Sequence, residues 1–272
     1  MTRYTDRDYL FTCQYKDTGN LNARIALHQR YSINKQPFKE WLLSLIHLPN
    51  RGIVLDIGCG PGTLWQAAGA YLPADCHVVL ADYSRGMVAA AYTRSHEEER
   101  FSYCQADAMQ LPLSDACMDV VIANFMLYHV SAVDSALAEA RRVLKPGGRF
   151  YAATNGHAHM HRVREIIGTL DPAADLSHAG KGFNLENGAA RLCKHFKKVE
   201  LHPREDALVV TDAAPLAAYI LSTGRSTFLQ ENPAVLEDYL AAIIRSDGAV
   251  RIEKKAGLFS AWREEEDEHG IR

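Results

Sequence analysis

The residues best suited to chemistry lie in the stretch VLDIGCGPGTLW, residues 54–65. Behind a short apolar run that contains Asp56 come three alternating glycines, Gly58, Gly60 and Gly62. Such spacing is typical of a turn whose backbone approaches a ligand closely or adopts positive φ angles. A dinucleotide fingerprint would read GxGxxG, but its third glycine is replaced by Thr63. The pattern therefore predicts a ligand loop of another kind.

The charge of Asp56 indicates what that ligand carries. A carboxylate in front of the loop repels a pyrophosphate and attracts a cation. We expect a ligand that is nucleoside-like at one end and positively charged at the other, as S-adenosyl-L-methionine is. Cys59 lies between the glycines and belongs to the same predicted cofactor loop. The alternative is a glycine-rich turn that binds nothing.

Further candidates follow the next two apolar runs. Asp82 comes about 20 residues after the last loop glycine, where an acidic side chain can accept hydrogen bonds from both ribose hydroxyls. Tyr83 beside it is predicted to pack on the adenine face. Asp107 is predicted to accept from the adenine amino group while the backbone of Ala108 donates to a ring nitrogen. Alone, such an aspartate is more often a helix cap or a turn former.

These candidates need a scaffold, and the pattern of the chain supplies one. Apolar runs of strand length alternate with helical patterns, which is typical of an α/β fold with a parallel sheet. The predicted strands are 52–58, 77–82, 101–107, 118–124 and 148–154, and the helices between them are 63–72, 84–99 and 131–145. Ser84 and Ser131 are the predicted N-caps. Two more runs, 197–203 and 206–212, are predicted to form an antiparallel pair at one edge.

The composition narrows the function classes. The chain has 272 residues, of which 47% are hydrophobic, and its formal net charge is -3. A net negative charge does not indicate a basic surface that would attract a polyanion, so we expect no nucleic-acid partner. We find no signal peptide and no apolar run near the ~20 residues of a membrane span, so we expect a cytoplasmic protein without a membrane partner. Six cysteines without metal-ligand spacing fit reduced thiols.

The chain resembles the class I S-adenosylmethionine-dependent methyltransferases, especially the small-molecule enzymes of the ubiquinone/menaquinone-biosynthesis-like group. The matching pieces are VLDIGCGPG, ADYS, CQADAMQLPLSDACMDVVIANFMLYHV and EARRVLKPGGRFYAAT. The resemblance covers residues 50–155. It implies a Rossmann-like, mostly parallel sheet of seven strands in the order 3-2-1-4-5-7-6 with strand 7 antiparallel. It also implies methyl transfer from a cofactor bound over strands one to three.

Outside that region we predict a helical cap over residues 1–50 and a core over 51–225 with an insertion near 155–185. Residues 226–272 are predicted to form a C-terminal helical segment. The cap supplies Arg24, a candidate for a bidentate contact to the cofactor carboxylate. Tyr31 is a second cofactor candidate from the cap, and Tyr15 is a candidate for the acceptor pocket.

The acceptor side is predicted around the fourth and fifth strands. His129 is the candidate general base because a histidine can accept a proton near neutral pH. Tyr128 competes for this role, and the alternative is a histidine that only packs under a lid. Asn124, Phe125 and Met126 are predicted to form the pocket wall and contact the methionine end of the cofactor.

After the fifth strand, Asn155 and His157 are predicted to contact the acceptor. His157, His159 and His161 form an HxHxH run, but alkyl transfer needs no metal and no acidic residue interleaves them, so no metal is expected.

Three function classes remain. The leading one is methyl transfer to an oxygen or nitrogen of a small-molecule metabolite. The alternatives are a methyltransferase for a macromolecule such as protein or RNA, and a non-catalytic cofactor-binding protein. A nicotinamide-dependent enzyme is disfavoured by Thr63.

Overall fold

A single seven-stranded sheet organises the described part of the chain. The computed structural model describes residues 19–66, 71–174, 176 and 182–265, so the candidate Tyr15 lies outside it. The strand order β3-β2-β1-β4-β5-β7-β6 confirms the predicted Rossmann-like α/β fold. The strands are β1 Arg51–Ile57, β2 Asp75–Asp82, β3 Phe101–Gln105, β4 Met118–Asn124, β5 Leu144–Asn155, β6 Lys198–Val210 and β7 Val250–Trp262.

Helices cover both faces of this sheet. In the described ranges they are α1 Gly19–Tyr31, α2 Phe38–Leu45, α3 Arg85–Ser95, α4 Val133–Val143, α5 His161–Leu170, α6 Gly188–Leu192, α7 Ala213–Ser222, α8 Thr227–Glu231 and α9 Pro233–Asp247. None of them is long and apolar enough to span a membrane. The predicted helix over 63–72 includes residues 67–70, which lie outside the described residues.

The two predicted N-caps have different outcomes. Ser84 caps α3, since its side chain accepts a hydrogen bond from the backbone of Met87 at 3.3 Å. The prediction for Ser131 is wrong. The N-cap of α4 is Ala132, and the Ser131 hydroxyl instead donates to the sulfur of Met109 at 3.6 Å.

The first five strands are parallel, so their carboxyl ends meet at one edge of the sheet. β1 lies between β2 and β4, and the crossovers from these neighbours run in opposite directions. Open α/β sheets bind ligands in the crevice that this reversal creates. Asp82, Asn124 and Asn155 each end a strand at this edge.

The predicted antiparallel pair at the sheet edge is wrong. Residues 197–203 and 206–212 do not fold against each other, because residues 198–210 form one continuous strand, β6. Pro203 lies within β6, which is the edge strand, where a proline without an N–H is tolerated.

The partner of β6 is β7, which pairs with β5 on its other side. β7 falls in the segment 226–272, which was predicted to be helical. Among the described residues of that segment, 226–265, helices α8 and α9 precede β7. The alternation of VRIEKK at the start of β7 is a strand pattern that the prediction overlooked.

The antiparallel pair of β6 and β7 extends beyond the end of β5. β5 pairs with β7 only as far as Asn155 opposite Ala256, whereas β6 and β7 remain paired up to Val210 and Val250. Helices α1, α5, α7, α8 and α9 pack on this projection. Their shared core contains Leu27, Tyr31, Val163, Ile166, Ile167, Leu208, Leu216, Ile220, Leu229, Leu236, Leu240 and Ile252. Helix α1 therefore packs at the end of the sheet where β6 and β7 project beyond β5.

The packing of α6 on the sheet gives the first prediction. A Cβ on Gly188 would overlap Cε2 of Phe259 and lie 3.1 Å from Cζ of Phe183. Both rings are fully buried and have no room to move. We expect Gly188→Ala to lower the free energy of unfolding by about 1–3 kcal/mol, measured by urea denaturation.

Gly86 in α3 is the matched control, since a Cβ there would meet only the Ser84 hydroxyl at 3.6 Å. Gly86→Ala should leave stability unchanged or raise it by about 1 kcal/mol. Equal stability of the two variants would contradict the packing described for α6.

Candidate functional site

The glycine loop follows β1 and requires glycine for two reasons. Gly58 has a φ of +68°, and a Cβ there would lie 2.7 Å from Cβ of Met126. Gly60 has a φ of +55°, and a Cβ there would meet no heavy atom within 4 Å. The backbone thus turns tightly at Gly58 and leaves open space above Gly60, where a ligand can lie against it.

Asp82 holds the loop in position. The backbone N–H groups of Gly58 and Cys59 donate to the carbonyl of Ala81 at 2.7 and 3.0 Å. Asp82 accepts through Oδ2 from the backbone of Gly60 at 3.0 Å and through Oδ1 from Ser84 at 2.8 Å. Each carboxylate oxygen keeps a further lone pair for a hydroxyl donor. Burial raises the pKa of Asp82, and these two backbone donors lower it.

Asp56 is a buried carboxylate with one oxygen available. Its side chain is 2% exposed, and Nε1 of Trp65 donates to Oδ2 at 2.8 Å. Oδ1 is buried and has no hydrogen-bond partner among the described residues. Burial raises the pKa of Asp56 to about 7, and the charge of Asp82 acts in the same direction. A buried carboxylate of this kind is stabilised by an ammonium group. Trp65 ends the stretch 54–65, but its role was not predictable from the sequence.

The predicted adenine residues lie next to Asp82. The backbone of Ala106 donates to the carbonyl of Asp82 at 3.0 Å, which joins the ends of β3 and β2. Asp107 accepts through Oδ1 from the backbone of Met109 at 3.0 Å, and Ala108 is buried. Tyr83 is 41% exposed at the rim. The structure therefore places these candidates around one corner of the crevice.

The segment after β4 lies against the glycine loop. Phe125 has a φ of +52°, a conformation that costs a non-glycine residue about 1 kcal/mol or more and occurs often at functional sites. Oδ1 of Asn124 is buried without a partner among the described residues. Met126 packs at Gly58, and the backbone of His129 donates to the carbonyl of Met126 at 2.9 Å. His129 thus lies within one turn of the loop.

A short segment, residues 182–187, brings the other acceptor candidates together. Its first residue, Gly182, lies beside the backbone of Tyr128, and the Thr154 hydroxyl donates to the carbonyl of Phe183 at 3.1 Å. Nδ2 of Asn184 lies 3.2 Å from Nε2 of His157. Asn184 is 1% exposed, and the sequence analysis did not single it out.

This segment also reaches the end of β5. The backbone of Leu185 donates to the carbonyl of Asn155 at 3.2 Å. Oδ1 of Asn155 is buried without a partner within the described ranges. The rings of Tyr128 and His129 lie 4.5 Å apart. Tyr128, Asn155 and His157 therefore line walls of one region.

The two described cap candidates both contact α7 or its N-cap. Arg24 donates to the hydroxyl and the carbonyl of Ser222 at 3.1 and 2.6 Å. The Tyr31 hydroxyl donates to Asp212 at 2.6 Å. Both partners belong to the start or the end of α7, so these contacts do not support a role in cofactor binding, which stays a prediction.

The histidines of the HxHxH run contact different groups. His159 accepts through Nδ1 from the backbone of Lys255 at 3.2 Å, and His161 faces Glu165 at 3.2 Å on α5. In the part of the chain that the structure describes, no group of three or more His, Cys, Asp or Glu side chains is arranged to hold a metal ion.

The sheet order and the fold are similar to those of Rossmann-like S-adenosylmethionine-dependent methyltransferases. Residues 55–152 match the family model described as a methyltransferase domain, and this part of the chain is such a domain. Its cofactor is S-adenosyl-L-methionine. The residues present fit that molecule: Asp82 can accept from the ribose, and Oδ1 of Asp56 lacks a donor that an ammonium group would supply.

Individual relatives agree on the class and differ in substrate. The ubiquinone/menaquinone biosynthesis C-methyltransferase UbiE of Acidiphilium cryptum is 37% identical over 119 residues, which are 42% of this chain and 45% of that protein. The malonyl-[acyl-carrier protein] O-methyltransferase of Xylella fastidiosa is 26% identical over 197 residues, 72% of this chain and 66% of that protein. The chain thus spans less than half the length of the first relative.

A solved structure shares the fold. The phosphoethanolamine N-methyltransferase 2 of Haemonchus contortus, in complex with phosphomonomethylethanolamine and S-adenosylhomocysteine, has a TM-score of 0.59 and 20% identity. The match covers 97% of this chain and 61% of that one.

Asp82 gives the second prediction. We expect Asp82→Ala to weaken S-adenosylhomocysteine binding by roughly 1.5–3 kcal/mol, because charge-assisted hydrogen bonds to the ribose are lost. Calorimetric titration measures this. Asp75→Ala, at the exposed opposite end of the same strand, is the control and should bind normally. Normal binding by Asp82→Ala would remove Asp82 from the site.

Asp56 gives the third prediction. Since burial raises its pKa to about 7, the carboxyl is partly protonated in the free protein at neutral pH. An adjacent ammonium group favours the ionised form, so binding should release protons. We expect S-adenosylhomocysteine affinity to rise between about pH 6 and about pH 8.

Titrations in buffers of different ionisation enthalpy detect that proton release. Asp56→Asn keeps an acceptor for Trp65 and should abolish it. Identical proton release by the variant would assign the effect to another group.

Proposed function

We propose that the protein transfers a methyl group from S-adenosyl-L-methionine to an oxygen or nitrogen of a small-molecule metabolite. The observation that carries the proposal is the contact between the cofactor loop and the turn that bears the proton-accepting candidates. Met126 packs at Gly58, and His129 closes a hydrogen-bonded turn on Met126. A histidine one turn after the residue that packs at the cofactor loop supports the proposal of a proton acceptor there.

The chain's own residues have three tasks in this reaction. The bound cofactor supplies an activated methyl group on its sulfonium. Asp56 and Asp82 hold the cofactor at its ammonium and ribose groups. Asn155 and His157 orient the acceptor, while the segment 182–187 joins Tyr128 to His157 through the contacts of Gly182 and Asn184. His129 accepts the proton that an alcohol, phenol or amine loses on methylation.

Two of the three proteins compared above support an oxygen or nitrogen acceptor. The relative that matches the largest share of this chain among those described above is an O-methyltransferase, and the solved structure is that of an N-methyltransferase. The C-methyltransferase relative matches only 42% of this chain. The region that lines the acceptor side, residues 182–210 and 250–256, lies beyond the matched methyltransferase family model.

A labelling experiment tests the proposal. The protein is incubated with cofactor that carries a deuterated methyl group and with a cell extract, and the label is then followed by mass spectrometry. We expect label in metabolites on oxygen or nitrogen. Label confined to protein or RNA, or found on carbon, would contradict the proposal.

His129 gives the fourth prediction. With the acceptor from that experiment, His129→Ala should lower kcat by roughly 10²–10⁴-fold while S-adenosylhomocysteine affinity stays normal. His161→Ala is the control, because His161 is exposed at the start of α5. A kcat for His129→Ala within about threefold of wild type would exclude a base at this position.

A further inference from the structure

β6 carries a buried guanidinium group on the face that α2 covers. Arg204 is 5% exposed, and its Cζ lies 5.3 Å from the ring centroids of both Phe38 and Trp41. Nη2 donates to the backbone carbonyl of Gln36 at 2.5 Å. Nε and Nη1 are buried and have no hydrogen-bond partner among the described residues. Such a cation is costly to bury unless an anion joins it.

The carboxylate whose charge acts on Arg204 is already engaged. Asp206 lies two residues further along β6, so it is on the same face. Its Oδ2 forms an ion pair with the buried Lys254 at 2.5 Å. Its remaining donors are the Ser32 hydroxyl and the backbone N–H groups of Asn34 and Ala207. Asp206 therefore neutralises Lys254 and leaves the charge of Arg204 unmatched.

The histidines near this ion pair supply no charge. Burial lowers the pKa of His28 to about 4 and that of His159 to about 3, and the charges of Lys254 and Arg24 or Arg164 act in the same direction. Both rings are neutral at physiological pH. The group formed by Arg204, Asp206 and Lys254 thus holds one excess positive charge.

This charge lies on the acceptor side of the crevice. Arg204 is paired with Ala256, and Ala256 is paired with Asn155 at the end of β5. The Phe38 ring, which contacts the guanidinium, also packs on Phe125 with 5.2 Å between ring centroids. Two successive ring contacts therefore join Arg204 to the segment that follows β4. Asp56 and Asp82 lie on β1 and β2, on the opposite side of β4.

We propose that Arg204 binds a carboxylate group of the methyl acceptor, so that the substrate is a small organic acid methylated at another of its oxygen or nitrogen atoms. A single excess positive charge matches a monoanion, whereas a phosphate dianion would leave a buried negative charge. Guanidinium and carboxylate pair in a planar, bidentate geometry. This inference rests on the proposed function, because it names the substrate class of the same site.

The cofactor also carries a carboxylate. Two measurements tell whether Arg204 binds the carboxylate of the acceptor or that of the cofactor. Arg204→Met keeps an unbranched side chain against Phe38 and Trp41 but removes the charge, and Arg204→Lys restores a charge. Arg251→Met, an exposed arginine of β7, is the control. S-adenosylhomocysteine affinity is measured by calorimetry. Acceptor turnover is measured after the extract of the labelling experiment is separated into anionic and neutral metabolites.

We expect label in the anionic fraction, with the acceptor KM of Arg204→Met raised at least tenfold and partly rescued in Arg204→Lys. Cofactor affinity should not change. Label in the neutral fraction, or a normal KM in Arg204→Met, would overturn the inference and leave the proposed function intact. A tenfold loss of S-adenosylhomocysteine affinity would assign Arg204 to the cofactor instead. The absence of any labelled metabolite would refute the proposed function, and this inference with it.

Discussion

One close approach governs the site: the contact between Gly58 and Met126. β1 and β4 are neighbours in the sheet, and their C-terminal segments leave it at the same edge. The loop after β1 can fit beneath the segment after β4 only because Gly58 has no side chain. Open space above Gly60, the positive φ of Phe125 and the turn that carries His129 lie on either side of this contact. The glycine loop and the segment after β4 are thus held together where Gly58 lacks a side chain.

The sequence was sufficient to predict the parallel half of the sheet. There, β2 and β4 are short, mostly apolar runs that end in the polar residues Asp82 and Asn124, and both signals are local. The observed β1, β2 and β4 agree with the predicted runs to within two residues at each end. The antiparallel edge could not be predicted as well, because Arg204 and Asp206 put charge into β6 where a strand would be expected to be apolar. Their burial depends on α2 and Lys254, which are distant in sequence.

The same distinction applies to the candidate site. Asp56 and Asp82 were identifiable because position relative to a strand end indicates their role. Asn184 could not be singled out, since its importance comes from its contact with His157, 27 residues away. The importance of Arg204 could not be predicted for a similar reason, because its aromatic neighbours lie more than 160 residues earlier in the chain. The candidates for the cofactor follow local sequence patterns, whereas the candidates for the acceptor are brought together by tertiary contacts.

The place of β7 has a consequence for synthesis of the chain. β7 is the last strand among the described residues, yet it lies between β5 and β6 and supplies the hydrogen bonds for one side of each. While the chain emerges from the ribosome, β5 and β6 are complete long before residues 250–262 appear. Both then expose unpaired strand edges, which are templates for association with other chains. The methyltransferase core therefore depends on its final strand for protection against aggregation as well as for its shape.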